Sequence, residues 1–268
     1  MTETRNQLST ARHWDQERAA GYNNLGWVKA QGPLDKIAEL ADLTGNEIVV
    51  DAGTGSQVVL NRLSEALVAK MGSGIAIGFD VSKGMLLSRD EPLSPNTRLL
   101  VADFYNTPFP TGSVDVMTAR QVLHNLPNIN NAILEARRVL RDGGKFIGVE
   151  YVAIDGEVLG FERAVFDLKE PGRNLWTGDQ FRDLVFNSWS DAAKNGTKPA
   201  QVNVHYYNLK KYSVLNWMEN SGLPKETQQE IVNLYRNAPK NIVEKMKVIC
   251  DGDDVFTDRL FAYIVAIK

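Results

Sequence analysis

The sequence predicts a doubly wound α/β protein, a mostly parallel sheet with helices on both faces and a helical cap inserted after the fifth strand. Three observations predict it. Short apolar runs alternate with helix-period segments through the first 152 of 268 residues, the pattern of parallel strands buried on both sides. A strand, a glycine turn and a helix follow one another at residues 49–70, the sequence of elements that forms a nucleotide-binding corner. Acidic residues close three of the apolar runs, Asp51, Asp80 and Asp103, and ligands of such sheets lie beyond the carboxyl ends of the strands.

The elements follow in order. Residues 9–32 carry Trp14, Tyr22 and Trp27 among charged residues, which suits one or two short helices whose aromatic faces serve as packing or as a lid. Leu34, Ile37, Ala38, Ala41 and Leu43 recur at helical spacing behind Pro33, and Gly45 ends that helix. A strand at 47–51 leads into Gly53 and Gly55, which lack a Cβ and so allow positive φ and close approach of a ligand to the main chain. A helix over 58–70, a strand at 74–80, a helix at 82–90 and strands at 97–103 and 113–119 come next. The helix at 128–140 is stopped by Asp142-Gly143-Gly144, and a fifth strand spans 145–152.

Beyond residue 153 the texture changes. Helical stretches at 157–169, 178–189, 210–220 and 225–247 are separated by Glu170-Pro171-Gly172 and Gly222-Leu223-Pro224, with an aromatic-rich connector at 202–209. Residues 259–268 alternate like a strand that returns to the sheet. The expected organisation is an N-terminal helical lid (1–33), a cofactor-binding core (34–152), a helical cap or substrate region (153–257) and a C-terminal strand (258–268).

Charge narrows the function classes. A net charge of −3 gives no global attraction to a phosphate backbone. The local cluster Arg137, Arg138 and Arg141 precedes a Gly-Gly stop, where positive charge favours a helix C-terminus. The expected partner is a small molecule, not a nucleic acid. Residues 1–8 lack an apolar signal core and no run of 18 apolar residues occurs, so a cytoplasmic protein without membrane insertion is expected. The single Cys250 fits a reducing compartment. The three histidines are widely separated and form no metal-ligand spacing.

A glycine corner also suggests a dinucleotide. That fingerprint, G-x-G-x-x-G, needs glycine or alanine at position 58, where Val58 stands. Asp80 suits the ribose of any adenosine ligand. Together, Asp51-Ala-Gly-Thr-Gly-Ser, Gly78-Phe-Asp80-Val-Ser, Val101-Ala-Asp103-Phe104 and Phe109-Pro-x-x-Ser-Val-Asp115-Val resemble the class I S-adenosylmethionine-dependent methyltransferases. Within them, Arg120-Gln-Val-Leu-His124-Asn-Leu-Pro and Arg138-Val-Leu-Arg-Asp-Gly-Gly-Lys-Phe resemble the small-molecule group that includes the ubiquinone/menaquinone-type enzymes. The resemblance covers residues 34–152 and the last strand, and implies a Rossmann-like sheet of the seven-stranded type.

It also implies roles. Asp51, Ala52, Gly53 and Gly55 would cradle the methionine part of S-adenosylmethionine, with Asp51 on its amino group. Asp80 would accept from both ribose hydroxyls, as an ionised carboxylate can. Val81 and Met85 would pack near the adenine, Asp103 would accept from its amine beside Phe104, and Arg120 would face the methionine carboxylate. Gln57 departs from the family's usual small residue and is expected to crowd the methionine tail or to donate to it.

Methyl transfer needs a base only when the acceptor must lose a proton. The candidates are His124, past the fourth strand, and His205, in the aromatic connector, with Glu150, Tyr22 and Tyr206 behind them. Tyr22, Trp27, Trp176, Tyr206 and Tyr207 are candidates to line an apolar acceptor pocket. The reading is methyl transfer to O, N or C of a small organic acceptor. Its alternatives are a protein of this fold that uses the cofactor site for a cyclisation or isomerisation, or a non-catalytic partner.

Overall fold

The computed structural model describes residues 19–89, 92–191 and 201–268. Alternating burial along the strands builds its frame. Strand β1 (Ile48–Ala52) sends Val49 into one apolar layer, and Val50 and Ala52 into the other. It is flanked in parallel by β2 (Ile75–Asp80) and β4 (Val114–Arg120); β3 (Thr97–Val101) extends the sheet beyond β2, and β5 (Leu140–Val152) extends it beyond β4. Strand β8 (Asp254–Ile267) returns antiparallel to β5, and β6 (Gln201–Ser213) pairs antiparallel with β8. The order is β3-β2-β1-β4-β5-β8-β6, with the short β7 (Ile249–Asp251) hairpinned onto β8. This is the expected doubly wound, mostly parallel sheet.

Helices cover both faces, turning their apolar residues toward the sheet. One layer holds α2 (Gln31–Ala41) and α3 (Val58–Ala69) through Leu34, Ile37, Leu60 and Leu63. The same layer continues into α6 (Gly156–Lys169), α8 (Val214–Glu219), α9 (Lys225–Arg236) and α10 (Lys240–Met246). The opposite layer receives α5 (Ile129–Val139) and α7 (Gly178–Asp191) through Ile133, Ala136, Phe181 and Trp189. Two short helices, α1 (Ala19–Tyr22) and α4 (Lys83–Leu87), sit at the carboxyl edge of the sheet near β1 and β2.

The region expected to be a helical cap is more mixed. The connector at 202–209 lies inside β6, where Val202 and Val204 pack on one face and Tyr207 and Leu209 on the other. Its alternation becomes a strand only because β8 offers a free edge. The helix expected at 210–220 is confined to α8, because Tyr212 and Ser213 still pair with β8 and the Ser213 hydroxyl accepts from Asn216 N to cap the helix. The helix expected over 225–247 is interrupted before Pro239, whose ring and missing N–H fit a helix start but not its interior. The last strand begins at Asp254, four residues before the expected boundary at 258. Residues 1–18 of the lid, with Trp14, and 192–200 of the cap lie outside the described residues.

Candidate functional site

Strand order reverses at β1, whose neighbours lead away in opposite directions. That is the topological switch point, where a crevice opens past the carboxyl ends of the strands. Gly53 (φ +61°) and Gly55 (φ +51°) form its floor, and a Cβ on Gly53 would fall 2.5 Å from Val122. Thr54 N donates to Phe79 O at 2.9 Å, and Gly55 N to Asp80 Oδ2 at 3.0 Å. Asp80 Oδ1 accepts from Ser82 N at 2.9 Å. The turn is thus held to the end of β2 by the same carboxylate that points into the crevice.

A cleft of about 880 Å3 results, lined by Gly53, Gly55, Asp80, Val81, Met85, Asp103, Phe104 and Arg120 among others. These are eight of the eleven expected cofactor residues. Asp51 and Ala52 lie beneath it, 2% and 0% exposed. Asp51 Oδ1 accepts from Thr118 Oγ1 at 2.6 Å, and burial pushes the carboxyl up to about 6 against the Thr118 and Thr54 hydroxyls.

Gln57 corrects an expectation. Its backbone is left-handed at the entry to α3 (φ 66°), and its side chain is completely buried. The amide donates to Gly55 O and to Leu86 O, the latter at 3.3 Å. It neither crowds the cleft nor donates into it; it staples the glycine turn to α4. Arg120 lines the cleft, yet its terminal nitrogens donate to Val28 O (3.0 Å) and Trp27 O (2.9 Å), which ties the N-terminal segment down over the site.

A second chamber of about 730 Å3 adjoins the first, and Tyr22 and Gln121 line both. His124 and Trp27 belong to it, with Tyr151, Phe166, Tyr212 and Trp217 as aromatic walls. The chain after β4 is shaped by Glu150, a fully buried residue of β5. Its Oε1 accepts from the N–H groups of Val122, Leu123 and His124, and its Oε2 lies 2.7 Å from His124 Nδ1. Burial first, then Arg173, holds the imidazole below its usual range against the pull of Glu150. A neutral ring that donates Nδ1–H to Glu150 leaves Nε2 as its lone-pair nitrogen, the tautomer a base requires. Tyr22 is pushed up to about 12 by burial, so its phenol stays protonated and is a poor base.

The remaining candidates line neither chamber. His205 sits on β6 opposite Tyr263, the period-two alternation of an outer strand having carried it away from the site. Tyr206 is 46% exposed and lies over Gly178 at the start of α7. Trp176 stacks on Phe181 in the core layer at 5.4 Å. Tyr207 packs against Gly32. Sequence reasoning missed Gln121, Phe166, Lys169, Arg173, Trp217 and Arg259, which converge from four separate stretches. One signal was available: an arginine at 259 immediately before the apolar run 260–267. Among the described residues, no group of three or more His, Cys, Asp or Glu is placed to hold a metal ion, and no helix is long and apolar enough to cross a membrane.

Residues 50–148 match the family model described as a methyltransferase domain. The chain is 32% identical over 129 residues to a ubiquinone/menaquinone biosynthesis C-methyltransferase of Rickettsia bellii, covering 46% of this chain and 51% of that protein. It is 25% identical over 218 residues to the uncharacterized methyltransferase YcgJ of Bacillus subtilis, covering 79% and 80%. The crystal structure of YcgJ superposes with a TM-score of 0.70 at 19% identity, over 89% of this chain and 99% of that one. The chain spans about half or less of the length of the first of its curated relatives.

Proposed function

We propose that this chain, which belongs to the class I S-adenosylmethionine-dependent methyltransferases, binds that cofactor in the first chamber and methylates a small organic acceptor held in the second. The observation that carries the reading is the acidic rim around a glycine turn. Asp80 and Asp103 line the cleft and Asp51 lies beneath it, against Arg120, the one lining cation among the described residues. That field repels a pyrophosphate and favours a cationic sulfonium with its ammonium group. The turn, which a Cβ on Gly53 would fill, leaves room for a chain lying against the backbone.

When bound, the cofactor supplies a methyl group whose bond to sulfur breaks with its electron pair retained by sulfur, while a lone pair of the acceptor forms the new bond. The protein's own residues position and deprotonate. Asp80 and Asp103 hold the adenosyl half, Met85 and Phe104 flank it, and the two chambers meet at Tyr22 and Gln121. His124 Nε2 takes the acceptor's proton, and Glu150 stabilises the imidazolium that forms. Orientation of this kind supplies about 7–11 kcal/mol in favourable cases. The acceptor is a metabolite-sized molecule, not a nucleic acid, and the reaction is placed in the cytoplasm.

Calorimetric titration tests the reading. S-adenosylmethionine binds and NAD does not, and Asp80→Ala weakens the affinity more than about tenfold, because charge-assisted bonds of ~1.5–3 kcal/mol are lost. Unchanged affinity in that variant overturns the site. Turnover of any acceptor releases S-adenosylhomocysteine, which a cyclase or a non-catalytic partner would not.

Affinity also depends on pH. The cofactor's ammonium favours ionised Asp51, so binding weakens as pH falls below about 6, by up to about tenfold per pH unit, and Asp51→Asn flattens the profile. The fold responds in the opposite sense. Raised above its ordinary 3.8, the Asp51 carboxyl contributes stability that is full below 3.8 and is lost as pH rises through about 6. Cofactor titrations at pH 5, 6 and 7 read the first effect, and urea unfolding at the same pH values reads the second.

A further inference from the structure

We infer that the acceptor is a flat, ring-bearing organic carboxylate, its anionic oxygens received by Arg173 and Gln121 and its ring by the aromatic wall of the second chamber. This rests on the reading of the first chamber as the cofactor site. The direct observation is the sign of the unmet hydrogen bonds. Among the described residues, four buried side-chain atoms of the second chamber's lining have no partner: Trp27 Nε1, Gln121 Nε2, Arg173 Nε and Arg259 Nε. All four are N–H donors, and among the described residues no buried side-chain acceptor of the lining is without a partner. A buried donor without a partner is costly, so the complementary ligand presents oxygen lone pairs and not further N–H groups.

Charge agrees. Among the described residues, Lys169, Arg173 and Arg259 line the chamber against one lining carboxylate, Glu170. Glu170 is divided between Lys169 (2.5 Å) and Arg173 (2.8 Å). Arg259 is matched from behind by Glu162 at 2.6 Å. Glu150, behind His124, is engaged by three backbone N–H groups and the imidazole. Three cations thus stand against Glu170 and Glu162, one positive charge more than the carboxylates that pair with them.

Position distinguishes the two receiving groups. The Arg173 side chain is 10% exposed, and its Nη2 donates to Gln121 Oε1 at 3.3 Å, which turns the Gln121 amide N–H₂ away from Arg173. Gln121 holds a left-handed backbone (φ 56°) that a non-glycine residue adopts at a cost. The strain places an amide at the junction of the chambers, where an acceptor must meet the methyl group. Around it, Phe166 packs edge-to-face on Trp217 at 5.2 Å and Tyr212 on Trp217 at 6.1 Å, an apolar wall suited to a planar ring.

Calorimetry on the protein saturated with S-adenosylhomocysteine tests this with three probes: 2-naphthoate, its neutral counterpart 2-naphthylmethanol, and inorganic phosphate. Naphthoate is expected to bind at least about tenfold more tightly than the alcohol, the margin of a charge-assisted bond, and phosphate alone at least tenfold more weakly than naphthoate. Arg173→Gln removes the preference for naphthoate and leaves the alcohol's affinity within about twofold. Equal or reversed affinities of the two naphthyl probes in the wild-type protein overturn the inference without any variant. Phosphate binding as tightly as naphthoate overturns the ring. Failure of S-adenosylhomocysteine to bind strikes the function proposed above, whereas its binding without a carboxylate preference strikes this inference alone.

Discussion

Replacing His124 by glutamine is expected to lower kcat for an acceptor that must lose a proton by about 10²–10⁴-fold, with cofactor affinity within about twofold of wild type. The expectation follows from the tautomer. Glu150 Oε2 lies 2.7 Å from His124 Nδ1 and fixes the proton there, which leaves Nε2 to act. Glu150→Gln is expected to cost a comparable factor by a different route. The amide that replaces the carboxylate donates to Nδ1 and drives the proton onto Nε2, while its carbonyl still accepts from Leu123 N, now 2.8 Å from the carboxylate. The pH profile separates a base from a packing residue. Because burial and Arg173 hold His124 below its usual range, wild-type activity persists on the acid side and falls only below that range. A glutamine variant that keeps this acid limb and most of its kcat contradicts the role.

The second large effect is on stability. Glu162 is fully buried between Arg259 Nη1 at 2.6 Å and the Tyr235 hydroxyl at 2.7 Å. Arg259 is also 4.9 Å from the Tyr151 ring centre and 5.0 Å from that of Tyr212. Removing the carboxylate strands a guanidinium away from water. Glu162→Ala is therefore expected to cost ~3–5 kcal/mol, a fall in Tm of roughly 6–20 °C for a chain of this size. Adding Arg259→Met should recover much of the loss, since an apolar replacement of a buried pair is often neutral or better. Thermal and urea unfolding of the single and double variants read this. A loss under about 1 kcal/mol in the single variant would show that the pair is reached by water.

The cofactor half of the site was legible because its residues are local. Gly53, Asp80 and Asp103 each stand at or just beyond the end of an apolar run, and sheet topology brings such ends together without further information. Gln57 shows where that logic stops. A residue between the turn and the helix looks as if it faces the ligand, but its left-handed backbone sends the side chain under the turn instead. The acceptor chamber was not legible for the opposite reason. Phe166 with Arg173, Trp217 and Arg259 come from three segments far apart in the chain, and each alone is an ordinary packing or surface residue. His205 and Tyr206 were misplaced because 201–213 alternates too weakly to declare a strand until β8 supplies its partner.

The most direct test of the account is a crystal structure with S-adenosylhomocysteine bound. The ribose is expected on Asp80, the adenine between Met85 and Phe104 beside Asp103, and the sulfur at the junction lined by Tyr22 and Gln121, facing His124 across the second chamber. A sulfur buried away from that junction, or a ligand bound outside the cleft between Gly53 and Asp103, would contradict it.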